Sequence, residues 1–199
     1  MKKALVLVSI IGLGLSSCSK KDEQQVAAEQ AMEQMGQAMQ QMEAAGSGAA
    51  KAPGIAIPAK TLVTFLPKIS GYELNGEAEY TEMDMQGTKY SQASQRYTNQ
   101  DKSISVNIFD YNYIAGLTAA FGMFTNMNME TNTEIMRSEK IAGYPGWFTW
   151  HKQDNDGTIG VIVADRVYVT IDGNGGVTDA ELHSVAESIN YSGIAGEVK

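Results

Sequence analysis

Few residues of this 199-residue chain can do covalent or metal chemistry, and they are unevenly placed. There is one cysteine, Cys18, and two histidines, His151 and His183. A single thiol excludes an intramolecular disulfide and any site built from several cysteines. Two histidines far apart in sequence argue against a His-rich zinc centre. A catalytic histidine needs an orienting acid and a nucleophile, and the spacing nominates neither. Both therefore read as solvated or capping side chains. No Gly-x-Ser-x-Gly elbow, His-Glu-x-x-His pair or Walker loop occurs.

Met32, Met35, Met39 and Met42 offer thioethers at helical spacing, and soft sulfur ligands suit Cu(I). With Ala28, however, these residues step by 4, 3, 4 and 3, which is the a/d seam of a short coiled coil. Methionine serves such a seam as an adaptable apolar filler. No His or Cys stands nearby to strengthen a copper site, so the seam is the preferred reading. Two loops imitate calcium sites. Asp154-x-Asp156-Gly157 has Lys152 and Val163 where ligands belong, and Asp172-x-Asn174 has Val177 where the invariant glycine belongs, so neither qualifies. No cofactor is expected.

The most unusual run is Tyr144 to His151, which holds both tryptophans of the chain. On a strand, Phe148 and Trp150 share one face, and Trp147, Thr149 and His151 share the other. One face is expected to be core. The other is either closed by a helix or shows Trp147 to solvent, as an aromatic platform for a glycan, peptide or lipid. Tyr144, Trp147, Trp150 and His151 are the candidate ligand or partner surface.

The chain opens with Lys2 and Lys3, followed by an uncharged apolar run over residues 4–15. Twelve residues are too few for a membrane span, which needs ~20, but they suit the apolar region of a signal peptide. Leu15-Ser16-Ser17-Cys18 follows and resembles the lipobox of bacterial lipoprotein precursors. That resemblance implies cleavage before Cys18 and diacylglyceryl transfer to its thiol. Several acyl chains anchor stably where one is marginal, at ~0.8 kcal/mol per buried methylene. Ser19 is not Asp, which by the same resemblance points to the outer membrane, facing the periplasm, in a Gram-negative host. Losing Lys2 and Lys3 takes the net charge from -8 to -10. Such a balance argues against nucleic acid or an anionic membrane surface as partner, since both require a basic patch.

The elements behind these residues follow from periodicity. Residues 1–17 form the signal peptide. Residues 18–58 form a tether: an anchor, a Met/Gln/Ala-rich helix able to self-associate through 28–42, and a Gly/Pro linker. Residues 59–199 form one domain. A short helix is expected at 60–66, ended by Pro67. Strands are expected at 72–85 and 88–98, turning at Gln86-Gly87, and at 103–110, where Ile104, Val106 and Ile108 alternate with Ser105 and Asn107. A helix over 114–127 follows, carrying Ile114, Leu117, Phe121 and Phe124 on one face. Further strands are expected at 133–141, 147–152, 158–164 and 167–171, then an open loop over 172–176. Thr178 and Glu181 form a capping box that starts a last helix.

The fold class is therefore α+β: an antiparallel sheet of six to seven strands with two main helices on one face, preceded by the Met-rich tether. The layout, with its turn at 141–146 and closing helix at 178–190, resembles PsbP-like exported domains. That resemblance implies an accessory, assembly or binding role. The expected function is a lipid-anchored envelope protein whose domain is a non-catalytic binder or scaffold for a protein or small envelope ligand. A copper-handling lipoprotein and an enzyme with an unrecognised site are the alternatives.

Overall fold

The structure, a computed structural model, describes residues 54–85, 88–112 and 124–199. The signal segment, Cys18, the seam at 28–42, most of the linker, the turn at 86–87 and most of the helix expected at 114–127 lie outside the described residues.

The described chain is α+β, with three helices and nine antiparallel strands. In order they are α1 Ala59–Val63, β1 Glu73–Leu74, β2 Glu79–Met85, β3 Thr88–Asn99, β4 Lys102–Asp110, β5 Met129–Glu130, β6 Glu134–Ile141, β7 Tyr144–His151, β8 Asp156–Val163, β9 Val167–Asn174, α2 Asp179–Glu187 and α3 Tyr191–Glu197. The sheet runs β1-β3-β4-β9-β8-β7-β6-β5, and β2 also pairs with β3. Two meanders thus meet where β4 pairs with β9.

Seven of these strands match the expected runs. The other two are two-residue ladders: β5 falls outside the expected strands, and β1 is the start of the run expected at 72–85, which residues 75–78 split into β1 and β2. β9 also continues through Asn174, so Asp172 lies on a strand and not in an open loop. Its alternation simply carries on past Ile171, with Gly173 facing Gly157 across the ladder. Helix packing differs too. Of the two expected covering helices, α2 is present with its capping box intact, Thr178 and Glu181 each bonding the other's backbone N–H. The short α3, with Asn190 as N-cap, is a further element beyond the expected helices.

Cross-strand pairing sorts the side chains into two faces. One face carries the rows Val106–Ile171–Ile159–Phe148 and Ala93–Ile108–Val169–Val161, all buried. Leu62 of α1, Leu182, Val185 and Ala186 of α2, and Tyr191 and Ile194 of α3 join that core. Leu182 reaches the sheet because its partners are Gly157 and Gly173, where any Cβ would collide with its methyl groups. Burying such a leucine contributes ~1.5–3 kcal/mol.

A buried ion pair closes one end of this core. Asp110, at the end of β4, meets Arg166 in two parallel contacts of 2.7 Å, both side chains fully buried. Arg166 is carried on the β8–β9 connection, where Ala164 and Asp165 both adopt positive φ. The pair's remaining capacity is spent on residues 55–57, Asn112 and Lys199. Asp110 accepts from the N–H groups of Ile57 and Asn112, and Arg166 donates to the carbonyls of Ile55 and Lys199. Asn112 holds Gly54 at both its N–H and its carbonyl. The folded domain therefore includes residues 54–58, placed in the linker by sequence, with Ile57 fully buried.

Candidate functional site

The four aromatic and histidine candidates do not converge. Trp147 lies on the face opposite the helices but is only 6% exposed. Tyr168 stacks on it at 5.2 Å and Phe124 at 5.3 Å. Gly160 opposite makes room for the indole, where a Cβ would overlap it. Trp147 is thus core of that end of the face and offers no open ring. Trp150 and Tyr144 belong to the helix-covered face. Trp150 stacks on Phe148 at 5.9 Å, and Tyr144 tilts against Tyr191 at 5.5 Å. His151 is exposed at the end of β7, opposite Asp156.

The other histidine pins a helix to the sheet. His183 of α2 bonds the Asp179 carbonyl through Nδ1 and Glu139 of β6 through Nε2, each at 2.9 Å. Burial favours the neutral ring, but these bonds and the charges of Glu139 and Asp179 outweigh it and raise the pKa. Arg137 closes the group from β6, contacting Glu139 and Asp179 and lying 4.5 Å over the Phe148 ring. With both ring nitrogens engaged, His183 fastens α2. Among the described residues, no group of three His, Cys, Asp or Glu side chains is arranged to hold a metal.

The face without described helices carries a different chemistry. At one end stand the aromatic side chains around Trp147. Across the middle, cross-strand pairing lines up Arg96, Ser105, Asp172, Thr158 and Thr149, one from each of β3, β4, β9, β8 and β7. Adjacent members are spaced by the strand separation, ~4.8 Å. Asp172 sits at the centre, half-buried. It accepts from Thr158 Oγ1 at 2.8 Å and, at 3.4 Å, from Asn107 Nδ2. Burial raises its pKa, partly offset by the hydroxyl bonds from Thr158 and Thr170.

At the Arg96 end this row runs into a hollow of about 200 Å³. The hollow follows from the backbone. Leu74 pairs with Tyr97 and Glu79 with Ser94, so residues 75–78 of the edge oppose only Gln95 and Arg96. Two extra residues force the edge chain to bulge. Gly76 turns it with φ +82°, and the Asn75 N–H to Arg96 carbonyl bond (2.9 Å) and the Gln95 side chain tie it back. The bulge carries Asn75 and Glu77 to the rim, and Glu79, Arg96, Ser105 and Asn107 also line the hollow.

Neither the hollow nor the row is nominated by motif. The available signals were Asn75-Gly76 interrupting a strand-like run, and the polar partners Ser105 and Asn107 of the best alternating strand. Compared with family models, curated proteins and solved structures, the chain matches none.

Proposed function

We propose that the protein is a lipid-anchored cell-envelope protein, held through acyl chains on Cys18, whose α+β domain binds a polar envelope ligand on the sheet face opposite the described helices α1, α2 and α3. In a Gram-negative host its place is the outer membrane, facing the periplasm. The observation that carries the reading is the continuity of the bulge hollow with the Arg96–Ser105–Asp172–Thr158–Thr149 row. Charged, amide and hydroxyl groups there stand side by side on one stretch of the sheet, an arrangement that can orient a polar ligand. The resemblance of the turn at 141–146 and the helix at 178–190 to PsbP-like exported domains supports binding over catalysis.

Two measurements test this. Mass spectrometry of the mature N-terminus is expected to find acyl mass on Cys18, and Cys18→Ser is expected to release the protein from membranes. A Cys18→Ser protein that stays wholly with the membrane sinks the anchor. Amide NMR of the full chain in micelles, titrated with the water-soluble small molecules of the envelope, is expected to shift Arg96, Ser105 and Asp172 while leaving α2 unmoved. Shifts confined to α2, or none, sink the binding face.

A further inference from the structure

We propose that the bulge hollow is a receptor for a small zwitterion, a free amino acid or dipeptide, whose carboxylate meets Arg96 and whose ammonium meets Glu77 and Glu79. This rests on the binding face proposed above and names the ligand chemistry of one part of it.

The first reason is the pattern of charges. Arg96 and two carboxylates line one hollow of about 200 Å³ without pairing with each other. Among the described residues, Arg96 bonds only the Ser103 hydroxyl, at 3.2 Å, which leaves most of its guanidinium donors for another acceptor. Glu77 and Glu79 form no ion pair among the described residues. An anion alone would meet the field of the two carboxylates, and a cation alone would meet the guanidinium. A molecule bearing both charges satisfies both sides. A guanidinium is also suited to grip a carboxylate through two parallel bonds.

The second reason is size. Glu79 faces Ser94, and Arg96 lies two residues further along β3 on the same face. The two Cα atoms are therefore about 8 Å apart, from ~3.3 Å per residue and ~4.8 Å between strands. After allowance for both side chains, the gap suits charges separated by one α-carbon or one peptide unit. The termini of a longer peptide would overshoot it. Between the charged ends, Asn75, Asn107 and Ser105 supply neutral donors and acceptors for a ligand amide or carbonyl.

The third reason is that the hollow is made by the backbone. The two-residue bulge at 75–78 displaces the edge chain where Arg96 projects, and Gly76 and Gln95 hold that displacement. Bulges of this kind recur beside binding sites, because they re-aim side chains without unravelling the sheet.

Calorimetric titration of the full chain in micelles with alanyl-alanine, its N-acetyl form and its C-terminal amide tests the proposal. The free dipeptide is expected to bind saturably at one site, and each blocked form at least tenfold more weakly. Arg96→Gln is expected to abolish discrimination against the amide while keeping discrimination against the N-acetyl form. The double variant Glu77→Gln, Glu79→Gln is expected to do the reverse. All of these side chains are exposed, and unchanged melting of the variants checks their fold. No saturable binding of the dipeptide, equal binding of all three forms, or variants that bind like the parent each overturn the proposal. If that happens while envelope small molecules still shift Arg96 and Asp172, the binding face stands and only its ligand class is wrong. If those shifts are missing too, both fall.

Discussion

The two faces of one sheet were built to opposite rules. The helix-covered face is largely apolar, and its buried polar side chains among the described residues are all satisfied. Asp110 and Arg166 hold each other and spend their other contacts on Ile55, Ile57, Asn112 and Lys199. The opposite face keeps its polar groups half in water and leaves several with capacity to spare. A buried charge that loses its partner is strongly destabilising, whereas a half-exposed one is rescued by solvent. The first face therefore stores stability. The second can hold a carboxylate such as Asp172 at slight cost and is free to vary its chemistry.

Three substitutions probe this contrast, in falling order of effect. Arg166→Met leaves Asp110 charged and buried, along with orphaned carbonyls at Ile55 and Lys199. A loss of ~3–5 kcal/mol in denaturant unfolding is expected, with early exposure of residues 54–57 to protease. A loss below 1 kcal/mol would show that the lock is not central to the covered face.

Gly160→Ala comes next. Its Cβ overlaps the Trp147 indole, so the ring must leave its place between Tyr168 and Phe124. The expected cost is ~1–3 kcal/mol, with a changed near-UV circular dichroism signal from tryptophan. An unchanged spectrum and melting curve would mean that Trp147 is not packed as described.

Asp172→Asn is expected to have the smallest effect, and of opposite sign. Burial raises the folded-state pKa of Asp172 above its ordinary value of 3.8, so ionisation there opposes folding. Below pH 3.8 both states are protonated and the penalty is absent. It accrues as pH rises from 3.8 through the folded value and is constant above that. The variant should thus melt at or slightly above the parent at pH 7, and the difference should vanish in acid. A variant clearly less stable at pH 7 would place Asp172 among the structural groups, with Asp110.

Much of the covered face was legible in the chain. The alternation of Ile104, Val106 and Ile108, the run at 167–171 and the Thr178–Glu181 capping box each depend on neighbours within a few residues, and local periodicity reports them. The α+β class and antiparallel pairing follow from short turns between such runs. What local pattern cannot carry is pairing at a distance. Asp110 and Arg166 are 56 residues apart and meet only because β4 lies beside β9. The same pairing places Asp172 beside Ser105 and Asn107, although its own surroundings of Gly and Asn read as loop. Alternation leaves open whether Trp147 is covered, because it assigns a side chain to a face without saying what lies over it; Tyr168 and Phe124 do, through contacts 21 and 23 residues away. The hollow depends on a count, four edge residues against two on β3, which exists only once both strands are in register. The chain by itself determined the strands and the capped helix, because each is a local balance of burial and backbone preference. The tertiary structure alone decided which polar groups were buried in pairs and which were left half-exposed, because that depends on which strands lie side by side.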